Sequence, residues 1–290
     1  MQLCRTKADI RHKTSNWRNT GARIVLVPTM GFLHEGHLSL MRRARECAGP
    51  DGKVVASIFV NPTQFGPGED FDSYPRDEDR DFDLLRAEGV DAVFAPPVTE
   101  VYDPKAQTIV ETTDLAKVLI GKLRPGHFRG VATVVTKLFN IIRPDAAVFG
   151  EKDYQQLAVI RTMTRDLDMG IEIIGGPIER EADGLAMSSR NVRLTPADRA
   201  AAPILSRALD EAEAMAPSGV TASRLRSHVR ATLEAEPRAR VQSVDIRDAQ
   251  TLDTISGPLT RPAVILLAVS FGKVFLIDNR VVHPAPTEES

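Results

Sequence analysis

An α/β architecture, with a Rossmann-like doubly wound parallel sheet at the N-terminal end and a smaller α+β domain behind it, is predicted by three features of this 290-residue chain. Short β-branched runs alternate with longer stretches of helical spacing over residues 1–180. The runs are continuously apolar rather than alternating, which suits strands covered on both faces. Over residues 181–290 the order changes to helices followed by strands, as in an α+β unit.

The strand-like runs are "RIVLVP" (Arg23 to Pro28), "KVVASIFV" (Lys53 to Val60), "DAVFAP" (Asp91 to Pro96), "DAAVFG" (Asp145 to Gly150) and "IEIIG" (Ile171 to Gly175). Between them, "HLSLMRRAREC", "DEDRDFDLLRAEG", "GVATVVTKLFNII" and "DYQQLAVIRTMTRDL" carry apolar residues three and four apart and end near Gly or Pro, the pattern of amphipathic helices. Strand, helix, strand order places ligands at the carboxyl ends of the strands. After "READGLAMSSRNVRL" (Arg180 to Leu194), two alanine-rich helices are predicted, Thr195 to about Ala216 and Thr221 to about Glu236. The strand-like "VQSVDIRDA", "RPAVILLAVSF" and "KVFLIDN" complete the second domain, and the tail "PAPTEES" reads as disordered.

A hydrophobic content of 42% supports real cores, and a net charge of -2 argues against a nucleic-acid or anionic-membrane binder. The expected partners are small molecules. No apolar run is long enough to cross a bilayer and the N-terminus lacks a signal-peptide core, so a cytoplasmic protein is expected. Cys4 and Cys47 form no CxxC pair, which indicates neither a disulfide framework nor a structural zinc site.

The stretch "VPTMGFLHEGHLSL" (Val27 to Leu40) sets His34 and His37 around Glu35 and Gly36, where a strand gives way to a helix. As a zinc site, "HEGH" is one residue short of the HExxH spacing and lacks an evident third ligand. As an isolated pair the histidines would read as solvated polar residues. The helix start offers a further reading, because its unpaired N–H groups and positive dipole end welcome an anion, to which two imidazoles can also donate.

Other segments bear on the same chemistry. "GEKDYQQ" follows a strand and opens a helix, so Gly150, Glu151, Lys152 and Asp153 stand at the carboxyl edge of the sheet. Lys152 can act as a point charge on phosphate, and Asp153 can serve a ribose or simply cap the helix. In "MSSR", Ser188 and Ser189 offer hydroxyls and Arg190 a planar fork; the same residues also read as ordinary loop. Gln64 in "NPTQF" can pair with Gln156, while Gln155 points about 100° away on a helix and reads as structural. The acidic "DEDRDFD" reads as a solvated helix start rather than a magnesium site.

The HxGH element resembles the signature of the nucleotidyltransferase superfamily. Taken with "SIFVNPTQFGPGEDFDSYPRD", "RPGHFRGVATVVTKLFNIIRPDAAVFGEKDYQQL" and "DGLAMSSRN", in this order and spacing, it resembles the pantothenate synthetase family, the pantoate:β-alanine ligases, over nearly the whole chain. The resemblance implies ATP-dependent condensation of (R)-pantoate with β-alanine through a pantoyl adenylate, in a cytoplasmic homodimer. It implies ATP contacts from Met30, Gly31, Phe32, Leu33, His34, Glu35, Gly36 and His37, from Gly150, Glu151, Lys152 and Asp153, and from Met187, Ser188, Ser189 and Arg190. Glu179, where relatives often carry an apolar residue, would meet adenine through its backbone. Catalytic roles fall to His37, as proton donor, and to His34 and Lys152; Gln64 and Gln156 would bind pantoate, with Gln64 also near β-alanine. The second domain would act as a lid, with "MSSR" the counterpart of the superfamily's KMSKS loop. Magnesium would arrive on the ATP phosphates, and no residue is assigned as a metal ligand. Arg80 before Asp81 departs from the adjacent acids common in the family. Arg124, His127 and Arg129 in "RPGHFRG" stand as candidates for the second-substrate end, and read nearly as well as loop.

Overall fold

The β-branched runs assemble into one parallel sheet because their residues alternate between two buried faces. The structure, a computed structural model, describes residues 1–66, 68–69 and 71–285, so Pro67, Asp70 and the end of the "PAPTEES" tail lie outside the described residues. The chain divides into two compact units: residues 1–151 with 155–177, and residues 152–154 with 178–290.

In the first unit the strands are β1 (Gln2–Cys4), β2 (Ile24–Thr29), β3 (Lys53–Ile58), β4 (Ala92–Phe94), β5 (Ala146–Gly150) and β6 (Glu172–Gly176), in spatial order β1-β4-β3-β2-β5-β6. Every pairing is parallel. The crossovers carry α1 (Lys7–Asn19), α2 (Glu35–Ala48), α3 (Glu78–Ala87), the short α4 (Val98–Val101) and α5 (Ile120–Leu123), α6 (His127–Ile142) and α7 (Tyr154–Asp166). Ile24 and Leu26 face a core shared with α6 and α7, whereas Val25 and Val27 face a second core with α2 and α3. This is the period-two alternation of a strand buried on both sides. Strand order reverses between β2 and β5, and a doubly wound sheet opens its ligand crevice at the carboxyl ends of two such strands.

β1 and α1 were not among the predicted elements. β1 is three residues long, and its two apolar residues, Leu3 and Cys4, stand between Gln2 and Arg5, so no apolar run announces it. Thr6 and Asp9 form a capping box that starts α1.

The second unit stacks α8 (Pro196–Ala201), α9 (Ile204–Met215) and α10 (Ala222–Glu234) with an antiparallel sheet of β7 (Ala239–Asp248), β8 (Ala263–Phe271) and β9 (Val274–Val282). Leu205, Leu209, Leu225, Val229, Ile246, Ile265, Val269 and Phe271 are all buried in its core. The single helix expected from Thr195 to about Ala216 is instead two, α8 and α9, interrupted before Ile204. Pro203 explains the break, since it has no N–H to give the preceding turn and its ring crowds that turn's carbonyl.

Candidate active site

The candidate residues lie in both units, and each group stands on its own local geometry. In the first unit, β2 ends at Thr29 and the chain turns through Gly31 (φ 81°) and Phe32 (φ 52°). Two successive left-handed residues are costly, the second because it carries a Cβ. Asp81 of α3 holds them there: its Oδ2 accepts from the Phe32 amide at 2.7 Å and its Oδ1 from the Leu33 amide at 2.7 Å. Arg80 donates to the Leu33 carbonyl at 2.9 Å and lies 5.8 Å over the Phe32 ring. A Cβ on Gly31 would come within 3.0 Å of both Asp81 Oδ2 and Ile58 Cγ2, so the turn has room only for glycine.

This corrects the reading of "DEDRDFD" as wholly solvated. Asp77 caps α3 by accepting from the Arg80 amide, but Asp81 is only 1% exposed. Burial pushes its carboxyl pKa above the usual range, against the opposing pull of the Leu33 and Phe32 amides and of Arg80. Among the described residues, no three His, Cys, Asp or Glu side chains cluster as a metal site.

The turn delivers His34 as the N-cap of α2, in extended backbone, with His37 one turn along. The His34 amide donates to His37 Nδ1 at 3.3 Å, and the two ring centroids lie 4.1 Å apart. His37 thus does at the third helical position what an acid does in a capping box. Because Nδ1 accepts, the proton of neutral His37 belongs on Nε2. Leu33 is buried and its amide is engaged by Asp81, as is that of Phe32; Glu35 pairs with Arg42.

Gln64 closes a short 3₁₀ turn, Pro62–Gln64, capped by Asn61. Its amide accepts from Asn61 Nδ2 at 3.1 Å and donates to the Met30 sulfur at 3.0 Å, which ties the glutamine to the residue that opens the histidine turn. Asn61, itself 1% exposed, also donates to the Gly130 carbonyl at 3.1 Å. A Cβ on Gly130 would fall 2.4 Å from the Thr63 carbonyl oxygen and 2.6 Å from Gln64 Cα, so α6 can approach the turn only through glycine. Gln156 is half-buried on α7 and does not bond directly to Gln64. Gln155 is structural, as expected: it donates to the Leu115 and Val118 carbonyls and accepts from the Ile120 amide.

Arg124 forms a two-pronged pair with Glu69, at 2.9 and 2.6 Å. His127 Nδ1 stands 2.8 Å from the Gln64 carbonyl, which only accepts, so Nδ1 carries the proton and Nε2 faces Arg124 at 3.2 Å as acceptor. These residues brace the Gln64 backbone. Glu151 follows β5, and Gly175 makes space for it, since a Cβ there would lie 2.5 Å from Glu151 Oε1.

In the second unit, Lys152 and Asp153 belong to a 3₁₀ turn whose Lys152 carbonyl accepts from Asn279 Nδ2 at 2.8 Å. Tyr154 donates to the Ala249 carbonyl at 2.5 Å. The Glu179 carbonyl accepts from the Met187 amide at 2.9 Å, which uses one of its two lone pairs locally. Ser188 Oγ accepts from the Arg190 amide at 3.2 Å, turning the loop, while Ser189 is 8% exposed. Asn191 bonds to Glu181 and to the Ala186 carbonyl, and Arg199 clamps Glu181 at 2.7 Å and Asp183 at 2.5 Å. Arg180 bonds Asp278 through both prongs, at 2.8 and 2.9 Å, and the Gly184 carbonyl at 3.0 Å. Asp81, Asn61, Arg199, Asp278 and Asn279 escaped sequence reasoning, because each works through a partner distant in the chain.

The chain as a whole has known counterparts. The family model described as pantoate-beta-alanine ligase matches residues 2–281. A pantothenate synthetase of Solidesulfovibrio magneticus is 50% identical over 99% of this chain and 100% of its own. The crystal structure of pantothenate synthetase from Thermus thermophilus superposes with a TM-score of 0.91 at 44% identity, covering 98% of this chain and 100% of that one. A pantoate-beta-alanine ligase from Francisella tularensis, solved as a complex with beta-gamma ATP and beta-alanine, aligns at 33% identity and a TM-score of 0.77 over 97% of both chains. With the family model matched along nearly its full length, this chain belongs to the pantoate-beta-alanine ligase family.

Proposed function

We propose that the protein condenses (R)-pantoate with β-alanine, consuming ATP and releasing AMP and pyrophosphate. The observation that carries this reading is the paired-histidine start of α2, at the end of β2, with the buried Gln64 amide fastened to Met30 beside it. Such a start gathers N–H donors and a positive dipole end for a triphosphate, and a glutamine amide suits a hydroxy acid.

In the first step the pantoate carboxylate attacks the α-phosphorus and pyrophosphate departs, leaving pantoyl adenylate. The β-alanine amine then displaces AMP. No protein nucleophile takes part, so catalysis rests on positioning and on stabilising charge. His37 offers Nε2–H to the departing phosphate, the proton position favoured by its Nδ1 contact with the His34 amide. His34 shares that work. Lys152, Ser188, Ser189 and Arg190 supply further positive charge and hydroxyl donors to the phosphates, as the family resemblance implies. ATP would also be met by Met30, Gly31, Phe32, Leu33, Glu35, Gly36, Gly150, Glu151, Asp153, Glu179 and Met187. From Phe32 and Leu33 that contact would come without their amides, which serve Asp81. Gln64 and Gln156 would hold pantoate, and Gln64 would stand near β-alanine.

Magnesium is expected to enter on the ATP phosphates. Asp81 does not suit it as a ligand, because each carboxylate oxygen already accepts an amide and Arg80 Nη1 lies 3.9 Å away. A cytoplasmic homodimer with residues 181–290 as lid follows from the same resemblance; among the described residues no helix is long and apolar enough to span a membrane. Light scattering gives the oligomeric state.

Pantoate-dependent exchange of labelled pyrophosphate into ATP, with amide formed only after β-alanine is added, is the expected result. Exchange without pantoate would point to a nucleotidyltransferase of another kind, and no exchange at all to a binding protein; either result overturns the proposal.

A further inference from the structure

The Asp81 carboxylate is a charge buried with little to gain in stability. It is 1% exposed, it sits in a helix start that otherwise faces water, and burial disfavours its ionised form despite the groups around it. A buried ionisable group held at such a disadvantage marks a place where local chemistry serves function. The groups facing it are the Phe32 and Leu33 amides and Gly31 at the turn, and Arg80 and Asp77 along α3.

We infer that Asp81 is a positioning residue for adenylation: its two oxygens set the Gly31-Phe32 turn and thereby the placement of His34 and His37, without touching ATP. The inference rests on the functional reading above. Two diverging amides need two acceptors, and only a carboxylate offers one oxygen to each. An asparagine would present N–H to one of them, releasing one residue of a turn whose left-handed backbone is otherwise unfavourable. His34 begins at the residue after Leu33, so a turn relaxed at Phe32 or Leu33 passes directly into the helix start. Arg80 works on the same turn, holding the Leu33 carbonyl and covering the Phe32 ring. Catalytic groups displaced by about 1 Å lose on the order of a hundredfold in rate while substrate binding elsewhere persists.

The test compares pyrophosphate exchange by the wild-type protein, Asp81→Asn and Arg80→Met, with ATP and magnesium saturating. Asp81→Asn is expected to lose about ten- to a hundredfold in kcat, and Arg80→Met about three- to tenfold, with the KM for pantoate within about twofold and far-UV circular dichroism unchanged. Arg80 is half exposed, so its replacement keeps the inference open to refutation even where Asp81→Asn fails to fold. A folded Asp81→Asn with kcat within about twofold of wild type overturns it, as does Arg80→Met with unchanged kcat. A rise of more than about tenfold in the magnesium needed for half-maximal exchange by Asp81→Asn would make Asp81 a metal ligand and also overturn it. Exchange by the wild type that ignores pantoate would instead defeat the functional reading, while the variant-to-wild-type ratio on that exchange still decides the role of Asp81.

Discussion

Replacing Asp278 by alanine should destabilise the second unit by about 3 kcal/mol. The Asp278 side chain is fully enclosed while that of Arg180 is 20% exposed, and the carboxylate accepts from both guanidinium prongs and from the Asn279 amide at 2.7 Å. Burial pulls the Arg180 pKa down, but the hydrogen bonds and charge of Asp278, helped by Asp210, outweigh it and leave the pKa raised, so the cation stays in place. Removing one member of a buried pair costs about 3–5 kcal/mol, because the other is left charged and unmatched. The lower end applies here: Arg180 keeps the Gly184 carbonyl and partial contact with water. Urea denaturation followed by far-UV circular dichroism gives the difference. A loss below about 1 kcal/mol would refute the reasoning, since it would mean that water screens the pair as it does at a surface. The double variant Arg180→Met with Asp278→Leu should recover most of the loss, because it leaves no charge behind.

His37→Ala should slow adenylate formation about a hundred- to a thousandfold, measured by rapid quench, with the fold intact by far-UV circular dichroism and only the modest loss of stability that removing a helix cap brings. Gly130→Ala places a methyl against the Thr63 and Gln64 backbone; it should raise the KM for pantoate about tenfold, the effect of roughly 1.4 kcal/mol, in steady-state assays. Hydrogen bonds from Arg124 hold the Glu69 carboxyl below its usual range against its desolvation, with the Arg124 charge, the Gly66 amide and His127 adding to them. Between that lowered value and the ordinary one the unfolded chain binds more protons, so stability rises with pH across this window. The contribution is complete above the ordinary carboxylate range and is lost as pH falls through the folded value. Glu69→Gln should therefore flatten the acid side of a stability-pH profile obtained by urea denaturation.

Strands β2 to β6 were legible because a buried parallel strand needs a continuous apolar run, and little else in a polar-rich chain produces one. Gln155 and Gln156 could be told apart by the angle between successive helical residues, and the structure gives Gln155 the backbone contacts that this angle implies. Asp81 was not legible. In the run "DEDRDFD" it looks like any helix-start acid, and what distinguishes it is a pair of amides 48 and 49 positions away in the chain. Asn61 escaped for a similar reason: an asparagine before Pro reads as a turn, and its bond to the Gly130 carbonyl exists only once α6 has packed. The paired histidines could be found from spacing alone. Their anion chemistry needed the strand-to-helix context, and the turn that supports them needed the fold.

The segment Lys152–Tyr154 groups with residues 178–290, although the chain on either side of it belongs to the first unit. A single cut therefore cannot yield two complete halves. A fragment starting at Ile178 would leave the Asn279 amide without the Lys152 carbonyl and the Ala249 carbonyl without the Tyr154 hydroxyl, while a fragment ending at Pro177 would keep both donor and acceptor with nothing to receive them. The lysine proposed to meet phosphate is thus woven into one unit and supplied by the chain of the other, which makes this enzyme a poor subject for dissection and a good one for whole-chain study.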